Sequence, residues 1–379
     1  MPGRAEDGVQ MPQDSGNNGP YPADIPAHGD GPRPRRRRRG LRIAAWTALG
    51  VVAVGGAGTA YLWSHLNGNL QGVDINAALG TDRPGASHDG AMNILLLGSD
   101  SRAGTGDEYG KGISGARSDT TMVLHVGKDH RTASVVSIPR DTMVDRPECP
   151  KPGGGSVPAA HQVMFNESYQ VGGPGCTVKT VESLSGVRMD HYLEVDFTGF
   201  KKIIDELGGV DITTKQAVKD VHSKLDLPAG KHTLKGEQAL SLVRTRHGVG
   251  DGSDLGRIQL QQAFIKALTH RIDDVGLSNP AKLYALADTA TRTVRADSQL
   301  ASTGKLLGLA QELKGIGPKN MKMVTMPVTY DPQNPDRVVA LPAASAKVWQ
   351  ALREDRPIPA SAGRDSVGDK GTSPVIVQS

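Results

Sequence analysis

The chain has 379 residues, 37% of them hydrophobic and only 4% aromatic, which is enough for one large domain or two ordinary ones, with a sizeable core. Its 47 Gly and 24 Pro fall short of a collagen-like or wholly disordered composition, and two Cys exclude a disulfide-dense miniprotein or a four-thiolate zinc site. The net charge of +4 is unevenly spread: eight Lys/Arg against five Asp/Glu precede residue 43, so the remaining body is nearly neutral and no nucleic-acid partner is expected.

Residues 1–40 lack apolar periodicity and read as a disordered arm carrying the run Arg35 to Arg39. The segment from Ile43 to Trp63 has no charge over 21 residues. That length corresponds to roughly 32 Å of helix, about one hydrocarbon core, and 41–63 reads as a transmembrane helix. A cleaved signal peptide and a buried core helix are the plainer alternatives, although a signal peptide's apolar region is usually only about 7–15 residues long. The arginines on its N-terminal side, with Trp46, Tyr61 and Trp63 near the ends, orient the N-terminus to the cytoplasm and everything after Ser64 outside. Residues 64–90 read as a polar extracytoplasmic linker, 91–355 as the folded domain, and 356–379 as a flexible tail.

Within the domain, Asn93 to Leu97 is a continuous apolar run ending at Gly98, the pattern of a strand buried on both faces. Further strands are expected at Thr121–Val126, Ser134–Ile138, Val210–Thr213 after the Gly208-Gly209 turn, and Met321–Met326. Helical spacing covers Phe197–Leu207, Gly236–Val243, Ile258–Leu268 and Gln299–Leu313, and Arg337–Arg353 suggests one more strand and helix. This alternation predicts an α/β fold, a layered α/β/α domain with a central mixed β-sheet, whose strand order is not legible.

Asp and Arg residues gather where these strands stop. Asp100 and Arg102 follow the first strand, Arg117-Ser118-Asp119-Thr120 precedes the next, and Pro139-Arg140-Asp141 ends the third. Open α/β sheets present ligands at strand ends, whereas any one of these residues alone could be a turn cap or a weak surface ion pair. A second group is Arg244-Thr245-Arg246, with Arg257 and Gln261 following. Arg244 and Arg246 face one side only if the backbone is extended, and Arg257 and Gln261 share a face on a helix. Converging guanidinium forks suit the oxygens of a pyrophosphate, and a solvated basic loop is the alternative. Asp251 or Asp254 reads as a cap for the following helix.

The runs Asn93-Ile94-Leu95-Leu96-Leu97-Gly98-Ser99-Asp100-Ser101-Arg102, Arg117-Ser118-Asp119-Thr120, Ser137-Ile138-Pro139-Arg140-Asp141, Asp190-His191-Tyr192, Leu207-Gly208-Gly209-Val210-Asp211 and Arg244-Thr245-Arg246-His247 resemble, in order, the LytR-CpsA-Psr family of cell-wall assembly enzymes, over about Asn93 to Leu268. The resemblance implies a membrane-anchored, extracytoplasmic phosphotransferase. Such an enzyme moves a glycan-1-phosphate from a polyprenyl-pyrophosphate carrier onto peptidoglycan. It implies Asp100 and Asp119 as ligands of Mg²⁺, and Arg102, Arg117, Arg140, Arg244, Arg246, Arg257 and Gln261 as the pyrophosphate-binding set. Arg140, Asp100 and Asp119 are the expected catalytic residues, with Asp141 orienting Arg140. The stretch 247–254 is longer than in shorter family members.

The two cysteines, Cys149 and Cys176, enclose a Pro- and Gly-rich stretch and can close one disulfide in an oxidising compartment, worth about 3 kcal/mol by loop closure; two free thiols are the alternative. His191 and His247 have no partners at metal-ligand spacing, and His191 reads as a packed residue near a strand. Ser99 lacks the Gly-x-Ser-x-Gly elbow of a serine hydrolase. Apolar residues around the sheet could line a lipid site but are more often plain core. Two other classes compete: a membrane-anchored transcriptional attenuator, and a non-catalytic envelope scaffold, for which the few aromatic residues offer little sugar-stacking surface.

Overall fold

The structure, a computed structural model, describes residues 60–70, 72–87, 90–100, 118–246, 254–275, 280–368 and 376–377. The uncharged run expected to cross a membrane lies outside them except for its last turn. Among the described residues no helix is long and apolar enough to span a bilayer. Residues 60–69 are helical.

The chain then forms β1 (Gly72–Val73), α1 (Ile75–Leu79), β2 (Met92–Ser99), β3 (Ser118–Val126), β4 (Ala133–Ser137) and β5 (Thr142–Arg146). Two short strands, β6 (Cys149–Pro150) and β7 (Ser156–Val157), precede β8 (Ala160–Met164) and α2 (Glu167–Ser185). Next come β9 (His191–Asp196), α3 (Phe197–Glu206), β10 (Val210–Thr214), β11 (Val218–Asp220), β12 (Leu225–Leu227), β13 (Gly230–Leu234) and α4 (Gly236–Arg244). The last part holds α5 (Asp254–Val275), α6 (Pro280–Thr293), β14 (Val294–Asp297), α7 (Thr303–Leu313), β15 (Met321–Thr325), β16 (Val328–Tyr330), β17 (Val338–Ala340) and α8 (Pro342–Arg353).

Seven strands make the central sheet in the order β1-β14-β9-β2-β3-β4-β15. It is mixed, as expected: β2 pairs antiparallel with β3 and parallel with β9, and β4 pairs antiparallel with β3 and parallel with β15. Because side chains alternate along a strand, neighbouring residues enter different cores. Leu95, Leu97, Val123 and Val136 pack with Val178 and Val181 of α2 and with Val348, Trp349 and Leu352 of α8. Ile94, Met122, Leu124 and Val135 pack instead with Leu309 of α7, flanked by Leu306 and by Ile265 of α5. Helices therefore cover both faces, and burying each such side chain contributes about 1.5–3 kcal/mol. A third core joins α3, α4 and α5 to the small sheets through Ile204, Ile212, Leu234, Leu242 and Phe264.

Element ends follow local chemistry. The Asp196 carboxylate accepts the Gly199 N–H at 2.7 Å and starts α3 where the sequence predicts it. Gly208 and Gly209 turn into β10 with φ of 82° and 99°, a region that favours glycine. Helix α7 begins at Thr303 rather than near Gln299, because Asp297 accepts the N–H groups of Gln299 and Leu300 and Ser302 provides the cap. Helix α2 was not foreseen; it is kinked at Gly173, whose φ of 62° breaks the helical run before Pro174 restarts it. The Cys149–Cys176 disulfide joins β6 to α2.

Two expected segments are part of the body instead. Residues 64–90, read as a linker, dock through Arg83, which forms a buried ion pair with Glu182 at 2.5 Å and donates to the Met189 carbonyl. Within 356–379, read as a tail, Ile358, Ala362 and Ser366 are buried, and Ser366 Oγ accepts the Val328 N–H at 3.1 Å.

Candidate active site

The end of β2 carries the feature that organises the site. Gly98 pairs with Thr120 but Ser99 pairs with Ser118, so Asp119 is the extra residue of a β-bulge. A bulge leaves one residue out of the ladder and re-aims its side chain. Asp119 Oδ1 then accepts from Arg140 Nη1 at 2.5 Å, where Arg140 stands just past β4.

Arg140 is held from several sides. Its backbone N–H donates to Asp254 Oδ2 at 3.2 Å, its carbonyl accepts the Asn166 N–H at the start of α2, and its Nε lies 3.4 Å from Asp141 Oδ1. Arg246 Nη2 reaches Asp254 Oδ1 at 3.2 Å and Asp141 Oδ2 at 3.7 Å. Arg257, one helical turn beyond Asp254, pairs with the same carboxylate and donates to the Asp119 carbonyl at 3.0 Å. Three arginines and three aspartates from four separate stretches of chain thus form one ion-pair cluster. Among the described residues, the buried Nε–H groups of Arg140, Arg246 and Arg257 find no hydrogen-bond partner. Buried guanidinium donors without acceptors are rare, and here three occur together.

The electrostatics differ between members. Burial opposes the charge on Arg140, but Asp119, Asp141 and Asp254 outweigh it and hold its pKa above the ordinary value. Burial dominates at Arg257 and, with repulsion from Arg246 and Arg140, leaves its pKa below the ordinary value despite Asp254.

Arg246 enters the cluster because α4 ends at Arg244. Thr245 adopts extended backbone, with φ of −62° and ψ of 129°. Its hydroxyl donates to the Ser241 carbonyl, and the Arg246 N–H donates to Asp220 Oδ2 at 3.0 Å. Arg244 is thus the last helical residue, and Arg246, after the extended Thr245, is the one that enters the cluster. The Arg244 guanidinium lies 4.8 Å from the centre of the Phe197 ring, on which it stacks. Gln261 shares the Arg257 face, yet its amide N–H₂ donates to Thr120 Oγ1 and the Val243 carbonyl, so in this structure it braces α5 against β3 and α4. Asp100 directly follows Ser99 at the same sheet end as Asp119; Arg102 and Arg117 lie outside the described residues.

Two features went unrecognised in the sequence. Asp254, read as a helix cap, is the acceptor shared by all three clustered arginines; its i,i+3 spacing to Arg257 is the one local hint. The buried Glu194 carboxylate on β9 accepts from Ser99 Oγ at 2.5 Å and Tyr169 Oη at 2.6 Å, and also from Tyr192 Oη. Burial first, and the adjoining Glu194 second, push both phenols above their ordinary pKa, so they remain donors. This network anchors the strand end that presents Asp100. His191, expected as a packed residue, lies on β9 with Nδ1 3.1 Å from Asp297 Oδ2.

Among the described residues no group of three or more His, Cys, Asp or Glu side chains could hold a metal ion by itself. Asp100 and Asp119, at one end of two neighbouring strands, offer carboxylate oxygens, and Mg²⁺ commonly takes only one or two carboxylates with phosphate oxygens and waters completing its shell. The donor chemistry therefore fits Mg²⁺ with at most a partial protein shell.

Comparison with known proteins gives a consistent picture. The cell wall biosynthesis protein LcpA of Corynebacterium glutamicum is 33% identical over 363 residues, covering 86% of this chain and 68% of that protein. The polyisoprenyl-teichoic acid–peptidoglycan teichoic acid transferase TagT of Bacillus subtilis is 29% identical, covering 75% of this chain and 87% of that one. A solved structure of TagT bound to LIIa-WTA superposes with a TM-score of 0.54 at 25% identity, covering 75% of this chain and 98% of that chain. The model of the LytR_cpsA_psr family matches residues 62–354. The chain belongs to the LytR-CpsA-Psr family.

Proposed function

We propose that this protein is an extracytoplasmic phosphotransferase that moves a glycan-1-phosphate from a polyprenyl-pyrophosphate carrier to peptidoglycan. The observation that carries the proposal is the convergence of the Arg140, Arg246 and Arg257 guanidinium groups on one cluster at the sheet end, where their Nε–H groups make no hydrogen bond among the described residues. Converging guanidinium forks match the oxygens of a diphosphate. The names of LcpA and TagT support the substrate class.

In the reaction, an acceptor hydroxyl forms a bond to the phosphorus that bears the glycan while the bond from that phosphorus to the bridging oxygen breaks, and the hydroxyl's proton leaves with the departing polyprenyl phosphate. Phosphoryl transfer depends on positioning and charge neutralisation rather than protein nucleophiles. Arg140 is the catalytic contact with the phosphoryl oxygens, and Arg246 and Arg257 hold the neighbouring phosphate. Asp141 and Asp254 keep the three guanidinium groups in register. Arg244 and, beyond the described residues, Arg102 and Arg117 extend the anion site, and Gln261 holds α5 in place beside it.

Asp100 and Asp119 would hold Mg²⁺, which when bound supplies positive charge to the phosphate oxygens. Charge balance supports this: the three clustered arginines are already matched by three aspartates, so an incoming dianion requires cationic charge beyond that of the cluster. Release of Asp119 from Arg140 would accompany substrate entry.

The chain is anchored by residues 41–63 with its N-terminus in the cytoplasm; the arginine run before an uncharged stretch and the disulfide after it support this topology. The test is incubation of the purified full chain with a synthetic polyprenyl-pyrophosphate glycan and a peptidoglycan fragment, with and without Mg²⁺. A phosphodiester-linked product that requires Mg²⁺ is expected. Failure of both carrier cleavage and product formation would refute the reading.

A further inference from the structure

The helix that follows the uncharged run is fixed to the body. Asn67 Oδ1 accepts the Thr303 N–H at the start of α7 at 2.8 Å. Asn69 donates to Asp288 Oδ1 on α6 at 3.1 Å, and His65 Nε2 lies 3.3 Å from the same carboxylate. The Trp63 indole lies against Gly304, where an added Cβ would come within 3.3 Å of the ring.

Exposed apolar surface gathers at this junction. Of the seven large hydrophobic side chains exposed among the described residues, four are Tyr61, Leu62, Trp63 and Leu307. Leu307 is one turn from Gly304 on α7, Gly308 beside it borders open space, and Gln311 continues the row, so this helix face carries no charge. Lys305, Glu312 and Lys314 are exposed on the same helix and its end. Aromatic residues of this kind favour the membrane–water interface.

A distance argument selects the occupant. If the uncharged run spans a bilayer, Trp63 marks its outer edge, and Asn67 is four residues further, roughly 6 Å along a helix. The headgroup layer outside the hydrocarbon is itself roughly 5–7 Å thick. The start of α7, hydrogen-bonded to Asn67, has no length of free chain by which to stand clear of that layer.

We infer that Tyr61, Leu62 and Trp63 with the Gly304–Leu307–Gly308 flank of α7 form a lipid-contacting surface that seats the body in the headgroup layer instead of letting it hang from a flexible tether. The inference rests on the membrane-anchor reading above. It deepens that reading by fixing one flank of the folded body at the bilayer.

The test uses the full chain reconstituted into vesicles of phosphatidylcholine and phosphatidylglycerol. The native cysteines are joined to each other, so Leu307→Cys, or Val221→Cys on the exposed tip after β11 as control, gives a unique thiol for a fluorescent label. Exchange for brominated phosphatidylcholine is expected to quench the label at 307 several-fold more than the label at 221, with both proteins floating with the vesicles. Flotation with quenching at 307 no greater than at 221 would overturn the seating while leaving the anchor intact. Failure to float would overturn the anchor and the seating together.

Discussion

Replacing Asp254 by Ala removes the carboxylate that Arg140, Arg246 and Arg257 share. Its side chain is 8% exposed and that of Arg257 is 5% exposed, so the substitution leaves a buried cation with the Asp119 carbonyl as its acceptor among the described residues and two other cations nearby. Breaking a buried pair by deleting one partner costs about 3–5 kcal/mol. For a protein of this size that corresponds to a fall in Tm of roughly 4–8 °C. Asp254→Asn keeps one acceptor oxygen and should cost only about 1–2 kcal/mol. Thermal and urea unfolding of the full chain measure both. If the cost arises from the uncompensated cation, Asp254→Ala combined with Arg257→Met recovers part of the loss, a coupling that a double-mutant cycle reads directly. A loss below about 1 kcal/mol for Asp254→Ala would show that this carboxylate does not organise the cluster.

Arg140→Ala, which deletes a half-buried side chain, is expected to lower glycan transfer roughly 100- to 1000-fold with the unfolding midpoint nearly unchanged, whereas Arg246→Lys keeps the charge, loses the fork and weakens donor binding about tenfold. Transfer kinetics decide, and wild-type rates in both variants would remove the arginine cluster from the reaction. Glu194→Ala leaves the hydroxyls of Ser99, Tyr169 and Tyr192 without their shared acceptor and should destabilise by about 2–5 kcal/mol in urea titration, with Glu194→Gln recovering part of it. Cys149→Ser with Cys176→Ser opens a loop with a sequence separation of 27 and is expected to cost about 3–4 kcal/mol in unfolding free energy; an unchanged urea midpoint would count against that contribution. At Asp297, burial raises the carboxyl pKa, but His191 and the Tyr192 and Gln299 amides outweigh it and hold it below the ordinary 3.8. A depressed carboxyl stabilises fully above its unfolded value and loses that contribution as pH falls through the folded value. The stability gap between wild type and Asp297→Asn should therefore be constant at neutral pH and narrow below about pH 4, and a gap that widens on acidification would contradict it.

The strand at β2 was legible because its apolar run is continuous and stops at Gly98, and β3, β4, β10 and β15 because their short Val-, Met- and Thr-containing stretches are bounded by Gly or polar residues. Helix α3 was legible from its Phe and Ile spacing, with the Asp196 cap beside it. Helix α2 was not, since Gly172-Gly173-Pro174-Gly175 reads locally as a helix stop; it persists because Val178 and Val181 are buried against the sheet and the disulfide holds Cys176. Residues 64–90 looked like a linker because their composition is polar. Arg83 reverses that reading by a buried pairing with Glu182, ninety-nine residues away, which no local window contains.

The candidate site divides in the same way. The residue types and the strand ends that carry them are properties of the sequence: Asp100, Asp119 and Arg140 lie where buried apolar runs stop, and Arg244 and Arg246 keep a spacing that suits extended backbone. Their meeting is a property of the fold. A bulge opposite Ser99 turns Asp119 out, Asp220 receives the Arg246 amide after α4 ends, and α5 brings Asp254 and Arg257 to the other two arginines. Local chemistry could set which groups were available, because periodicity and turn preference act over a few residues. Only tertiary packing could decide that three guanidinium groups would gather around one shared carboxylate, because that depends on contacts more than a hundred residues apart.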